Sequence, residues 1–389
     1  MTEAAIVGVG QSAYSWESGR PEAVLALEVI RRALDDAGLN VSDVDGLVRA
    51  SIESTTPFEL ISLAGLRPLA FTADDATWGG LAGGLLGLAC AAITTGRARV
   101  VVAFRAFNGR SMTRLGRPLP SSIAERGETP RAHGNMPVGG EFTAPYGFVS
   151  PAQVFALWTR IYMERHGIDA ARMSRALGAV AMYARRAART NPAALLHEKP
   201  LTVSDYDASP VIAEPLRKAD ICLESDGACA VVIAAEDVAR DCRHVPVHVV
   251  DAYQHVLPGY QHLWLMEPDL PPAIPRELIP ALLARHDLAP TDLDVLGLYD
   301  ASSFAVICDV ETMGLCAPGE GVAWVLDPAV PYNTSGGQLA EVYLQGMAQT
   351  VELVRQLRGT SPNQVPNARY AFVGAAALMS GALLARGLP

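Results

Sequence analysis

Few side chains in this sequence stand at a spacing that announces chemistry. The six cysteines, Cys90, Cys222, Cys229, Cys242, Cys308 and Cys316, include no CxxC pair. A zinc knuckle or dithiol redox motif is therefore disfavoured, and buried reduced thiols are the simpler reading. His244 and His248 form an HxxxH in the β-like stretch HVPVHVV, where that spacing sets both on one face without making a metal site. Tyr299 in LYDASSF and Tyr343 in AEVYLQG carry phenols. With a reference pKa of about 10, only about one in a thousand is ionised at pH 7, equivalent to roughly 4 kcal/mol. A phenolate nonetheless matches a weakly acidic alcohol better than imidazole does, provided that donors lower its pKa. On periodicity alone each tyrosine reads as a core residue with its hydroxyl satisfied. Two glycine pairs, Gly79-Gly80 in TWGGLAGG and Gly336-Gly337 in NTSGGQL, precede helical stretches. Backbone N–H groups at such places can hold an oxyanion, and close helix packing would also account for the glycines.

The elements that must position these residues come in two copies. Leu25 to Val48 reads as an amphipathic helix, a stop at Gly38, an SDVD turn and an apolar strand. Arg276 to Asp300 repeats that plan about 249 residues later, with Thr291-Asp292-Leu293-Asp294 in the place of Ser42-Asp43-Val44-Asp45. Each copy continues with a Gly-Gly opening into a second helix, Thr77 to Gly96 and Asn333 to Gly359, followed by a strand, Arg97 to Phe104 and Ala368 to Gly374. Small residues around the first of these helices predict close packing on every side. Together they predict an α/β protein with two central helices between two sheets, a five-layer αβαβα sandwich of duplicated halves. Residues 109–219 interrupt the symmetry with Gly- and Pro-rich loops and helical stretches around Pro151 to His166 and Ala170 to Thr190, an inserted loop domain. Residues 1–108 with 220–243 form the first half, in which Cys222 to Ala235 is a strand buried on both faces, and 244–389 form the second.

Composition narrows the function. The 389 residues are half apolar, with a net charge of −10, and nothing supplies the basic face on which nucleic-acid binding depends. Met1 leads into the apolar run Ala4 to Val9 without a basic n-region, so a strand and a cytosolic location are expected instead of a signal peptide. The apolar stretch Leu81 to Ile93 is short of the roughly 20 residues that span a bilayer.

The duplicated halves, the insertion and the glycine-bearing loops together resemble the thiolase superfamily, in its sterol-carrier-protein-like branch, from Ala4 to Leu388. The closest likeness is to the lipid-transfer-protein group of steroid side-chain aldolases, carried by FRAFN (Phe104 to Asn108), AEPLRKADICLESDGA (Ala213 to Ala228), LYD, NTSGGQL and RQLRGTSPN (Arg355 to Asn363). The resemblance implies a βαβαβαββ plan for each half. It places Gly79 where thiolases carry the nucleophilic cysteine, and Tyr299 and Tyr343 where they carry two histidines. A Claisen exchange needs an activated nucleophile to hold the acyl group, so thiolase chemistry is not implied. What is implied is retro-aldol cleavage of a steroid β-hydroxyacyl-CoA to a ring ketone and a short acyl-CoA such as propionyl-CoA. Tyr299 is then the first choice for the base, with enolate donor as the rival role, and Tyr343 takes the other. Asp300 orients or polarises the loop or simply caps a turn. Gly79, Gly80, Gly336 and Gly337 are the substrate and oxyanion candidates. No cofactor or metal is expected beyond the CoA of the substrate, whose diphosphate Arg105, Arg110, Arg114 or Arg217 would meet. The expected partners are a second copy of the chain and a DUF35-type OB-fold protein. Two other classes stay open: an acyltransferase using another thiol, Cys90 or Cys308, and a non-catalytic acyl-CoA or lipid carrier.

Overall fold

The computed structural model describes residues 4–75, 81–111, 146–148, 150–255, 274–374 and 376–387. The elements that carry the architecture are, in chain order, β1 (Ala4–Gln11), α1 (Glu22–Ala37), β2 (Gly46–Ala50), β3 (Phe71–Asp75), α2 (Leu81–Thr94), β4 (Val100–Asn108), α3 (Pro151–His166), α4 (Ala170–Ala188), β5 (Asp226–Ala235), β6 (Val247–Gln254), α5 (Leu278–Ala284), β7 (Val295–Gly297), α6 (Ser303–Thr312), α7 (Met347–Arg358), β8 (Tyr370–Gly374) and β9 (Ser380–Arg386).

Among the described residues the main strands hydrogen-bond in the order β3-β2-β4-β5-β1-β6-β9-β8-β7. The run divides into two copies of one plan. In the first, β2 lies parallel to β3 and β4, then β4, β5 and β1 alternate in direction. In the second, β7 is parallel to β8, and β8, β9 and β6 alternate, while the counterpart of β3 has shrunk to a parallel bridge between Leu296 and Tyr332. The copies join through two residue pairs of β1 and β6, Ala5 with His248 and Ile6 with Val247.

The repeated acid turns show why the sequence repeats them. Asp43 accepts the Asn40 N–H at 2.7 Å, and Asp292 accepts the Ala289 N–H at 2.8 Å, each closing a turn of 3₁₀ helix. Asp45 then accepts N–H groups of Arg99 and Val100 where β4 begins, and Asp294 those of Arg369 and Tyr370 where β8 begins. One acid ends the helical segment and the other fixes the start of the parallel neighbour.

Burial sorts into three apolar layers. Leu25, Val29, Ala33 and Leu47 form the outer layer under α1, and Leu85, Ala89, Val351 and Val354 the central layer around α2 and α7. The third layer combines Phe304, Ile307 and Phe372 with Trp158, Met173 and Leu177 of α3 and α4. The insertion therefore shares a core with the outer face of the second half. The central helices contact both half-sheets, α2 through β2, β4, β8 and β9 and α7 through β1, β5, β7 and β8, which is the five-layer arrangement. Glycine makes this spacing attainable: a Cβ on Gly83 would stand 2.3 Å from the backbone nitrogen of Gly381 in β9.

Two segments differ from the sequence reading, and both bear on the site. The strand expected over Arg97 to Phe104 begins at Val100, because the N–H groups of Arg97 and Ala98 still bond to Ala92 at the end of α2, and it runs on to Asn108. The helix expected to follow Gly336-Gly337 is one turn, Gly337–Ala340, and restarts as α7 at Met347. Gln345 and Gly346, at φ of +52° and +95°, break it between, so Tyr343 sits on a loop.

Gly83→Ala is expected to cost ~1–3 kcal/mol by overpacking backbone against backbone. A thermal melt within experimental error of the parent would contradict the proposed contact.

Candidate active site

Three loops and one strand end meet at the tyrosines. β7 delivers Tyr299, and its loop is fixed by Asn333, whose side chain accepts the Leu298 N–H at 2.8 Å and donates to the Leu298 carbonyl at 3.1 Å. Asn333 adopts φ +43°, which asparagine tolerates better than most residues. Ser302 then caps α6 by accepting the Ala305 N–H. On the other side, the Tyr343 N–H donates to the Ser225 hydroxyl at 3.0 Å, just before β5. The result is a contact between the two phenols: Oη of Tyr299 and Oη of Tyr343 are 2.9 Å apart, their rings crossing edge to face at 6.5 Å. Both side chains are buried.

Burial pushes the Tyr343 phenol above its ordinary value; the bond with Tyr299, the Arg105 charge and Gln345 act in the other direction. The loop that carries Tyr343 also reaches the first central helix, since a Cβ on Gly346 would stand 2.9 Å from Cβ of Ala82. Gly79 and Gly80 lie outside the described residues.

Asp300 is buried and turned toward backbone. It accepts the N–H groups of Gln338 at 2.9 Å and Leu339 at 3.3 Å and the Gln349 amide at 3.1 Å. It thereby caps the single turn Gly337–Ala340 and ties the Tyr299 loop to α7. Burial raises its pKa to about 6 against those donors. Two of the glycines expected to hold an oxyanion, Gly336 and Gly337, are closely packed. The Gly336 N–H already donates to the Asn333 carbonyl. A Cβ there would stand 2.9 Å from Ala188 of α4, and one on Gly337 would stand 2.2 Å from Oδ2 of Asp300. The Gly336 amide is thus engaged in a turn, and both glycines, at φ of +115° and +60°, serve close packing.

Arg105 also departs from expectation. It is 1% exposed and ion-paired with Glu53 at 2.7 Å, so it is no ligand for a CoA diphosphate. Arg217 donates to the Ser209 carbonyl and lies over the Tyr206 ring, Arg110 lies over Trp16, and Arg114 is outside the described residues. Burial pushes Cys90 up to about 12 and Cys308 well above the ordinary thiol value, which disfavours the thiolate that an acyltransferase would need. His244 and His248 face Asp36 and Glu236 separately, and no group of three or more metal-binding side chains occurs among the described residues.

Residues 281–383 match the family described as thiolase C-terminal domain-like. The 17-hydroxy-3-oxo-4-pregnene-20-carboxyl-CoA lyase of Mycobacterium tuberculosis is 37% identical over 381 residues, 96% of each chain. The chain belongs to the thiolase superfamily, in the branch of the steroid side-chain-cleaving aldolases. A steroid side-chain-cleaving aldolase of Thermomonospora curvata is 36% identical over 93% of this chain and 92% of its own. The solved structure titled Ltp2-ChsH2(DUF35) aldolase superposes with a TM-score of 0.87 at 34% identity, covering 99% of both chains. In this branch the thiolase fold is kept, and in this chain two hydrogen-bonded phenols stand together at the meeting point of its loops.

The raised pKa of Asp300 sets a pH dependence. Its folded value, about 6, lies above the 3.8 of a free aspartate, so the folded state binds the proton more tightly. Its contribution favours folding below pH 3.8 and is lost as pH rises through 6. Asp300→Asn is expected to flatten the fall in melting temperature between about pH 4 and pH 6. Glu53 and Glu341, pushed to about 7 and about 8 by burial, continue the decline above that window in both proteins. An unchanged profile between pH 4 and 6 would refute the assignment.

Proposed function

We propose that this chain cleaves the side chain of a steroid β-hydroxyacyl-CoA by a retro-aldol reaction, giving a ring ketone and a short acyl-CoA, propionyl-CoA for a three-carbon unit. The observation that carries the reading is the 2.9 Å contact between the Tyr299 and Tyr343 hydroxyls, in a chain similar over nearly its whole length to lyases and aldolases of this class.

The reaction breaks the bond between the carbinol carbon and the α-carbon of the thioester. The electron pair passes to the α-carbon as an enolate, the hydroxyl loses its proton, and the α-carbon gains one. No net proton is consumed. A single buried phenol would have to ionise first, and burial opposes that. Two phenols in contact avoid the step: the substrate hydroxyl gives its proton to Tyr299, Tyr299 passes its own to Tyr343, and Tyr343 delivers one to the α-carbon. Tyr299 is the acceptor in this proposal and Tyr343 the donor that also stabilises the enolate. Asp300 acts through the loop it ties and does not touch the reacting atoms. The steroid acyl-CoA is the only small-molecule partner proposed, with no further cofactor.

The proposal includes a homodimer and a DUF35-type OB-fold partner. The solved structure described above carries a name that couples its aldolase with a DUF35 protein. Among the described residues strand β3 forms the edge of the sheet and exposes Thr72 and Asp74, and Phe58 and Leu63 are exposed on the helix Pro57–Ala64 that precedes it in the chain; an edge of this kind is normally covered. Light scattering is expected to give a dimer mass. A monomer at micromolar concentration would end that part of the proposal.

With the partner present, 17-hydroxy-3-oxo-4-pregnene-20-carboxyl-CoA is expected to yield ketone and propionyl-CoA in equal amounts. Tyr299→Phe and Tyr343→Phe should each lower kcat by ~10²-fold or more. No product from the parent protein would refute the aldolase reading, and full turnover in either variant would refute the relay.

A further inference from the structure

The alternation of β4 presents Val101, Ala103, Arg105 and Phe107 toward the central layer and Val100, Val102, Phe104 and Ala106 toward the outer one. A guanidinium on that inner face is conspicuous, because its neighbours along the face are apolar and it is fully buried. Three of its five N–H donors have acceptors in the surrounding loops and strand. Nη1 donates to Oε1 of Glu53 at 2.7 Å and to the Ala106 carbonyl at 2.8 Å. Nε donates to Oε1 of Gln345 at 2.7 Å. Glu53 is held in turn by the Ala106 N–H at 3.2 Å.

Two of these contacts lead to Tyr343. Gln345 lies two residues after it, in the left-handed conformation at φ +52°, a backbone state that a residue with a side chain holds only where its surroundings impose it. Phe107 is two residues after Arg105 on the same strand face. The guanidinium carbon is 4.6 Å from its ring centroid, and the ring meets Tyr343 edge to face at 6.1 Å. Arg105 thus braces the Tyr343 loop by a hydrogen bond through Gln345, and its ring through Phe107, over which the guanidinium lies and whose edge-to-face contact reaches Tyr343.

We propose that Arg105, Phe107 and Gln345 form a strut that positions the Tyr343 phenol against Tyr299, with Arg105 as the positioning residue at its root. The inference rests on the reading of Tyr343 as a reacting group. A buried ion pair is a poor device for stability alone, since well-packed apolar residues of the same volume commonly do as well or better. Its worth here is directional. The fork of Arg105 can serve a carboxylate and an amide at once in fixed geometry. The positive charge also opposes the effect of burial on the Tyr343 phenol.

The test is a double-mutant cycle on the full chain with its partner protein and the same acyl-CoA. Gln345→Met keeps the length of the side chain and removes both the acceptor for Arg105 and the hydrogen bond that Gln345 gives the Tyr343 phenol. It is expected to lower kcat by at least ~10-fold with KM within about twofold, and to change kcat by less than about twofold in the Tyr343→Phe background, because the group it positions is then absent. Phe107→Leu, which keeps the site apolar, is expected to show the same kcat-specific loss and the same silence in Tyr343→Phe. Equal losses in both backgrounds would overturn the strut, as would wild-type kcat in both variants beside an inactive Tyr343→Phe. Full turnover in Tyr343→Phe itself would overturn the reading of Tyr343 and the strut with it, so the two failures are distinguishable.

Discussion

Two half-sheets close on one shared layer of helices, and the distance between them is set where α2 crosses β9 without a side chain. At Gly83 the helix backbone approaches Gly381 more closely than any Cβ would allow. From that approach follows the position of α7, which shares the layer, and of the loop before α7, where Gly346 rests on Ala82. The tyrosine contact is downstream of this spacing. Hydroxyls on two different loops meet at 2.9 Å only because the scaffolds of those loops are pinned from both sheets.

The polar groups below the site divide into holders and the held. Asp300, Asn333 and Ser225 bond to backbone, each fixing a loop whose own hydrogen bonds would otherwise be incomplete in a buried place. The burial that raises the pKa of Asp300 and Glu53 is a cost of enclosing that framework, borne so that a tyrosine loop with two successive left-handed residues keeps one shape.

The duplicated architecture was legible because its signals are local. SDVD and TDLD each perform their whole task within a turn and the adjoining strand start, so their likeness in sequence is a likeness in hydrogen bonding. The special standing of Tyr299 and Tyr343 was legible only through the resemblance, since periodicity alone reads them as core. AEVYLQG reads as helix in the sequence because nothing in it marks Gln345 as left-handed. Arg105 is no free phosphate ligand, and a charge between apolar neighbours in VVVAFRAFN is the mark of a buried, paired group. Its partners Glu53 and Gln345 lie far away in the chain, on loops that only the folded scaffold brings together.

The two copies of the repeat have ceased to be interchangeable. Both hydroxyls come from the second copy, while Phe107 and Arg105, which stand behind Tyr343, come from the first. An ancestral duplication would have given each half the same inventory; in the proposed reaction one half reacts and the other braces. Exchange of sequence between the halves by recombination, harmless to a symmetric pair, would erase that division of labour, so the symmetry survives in the backbone and is forbidden to the side chains.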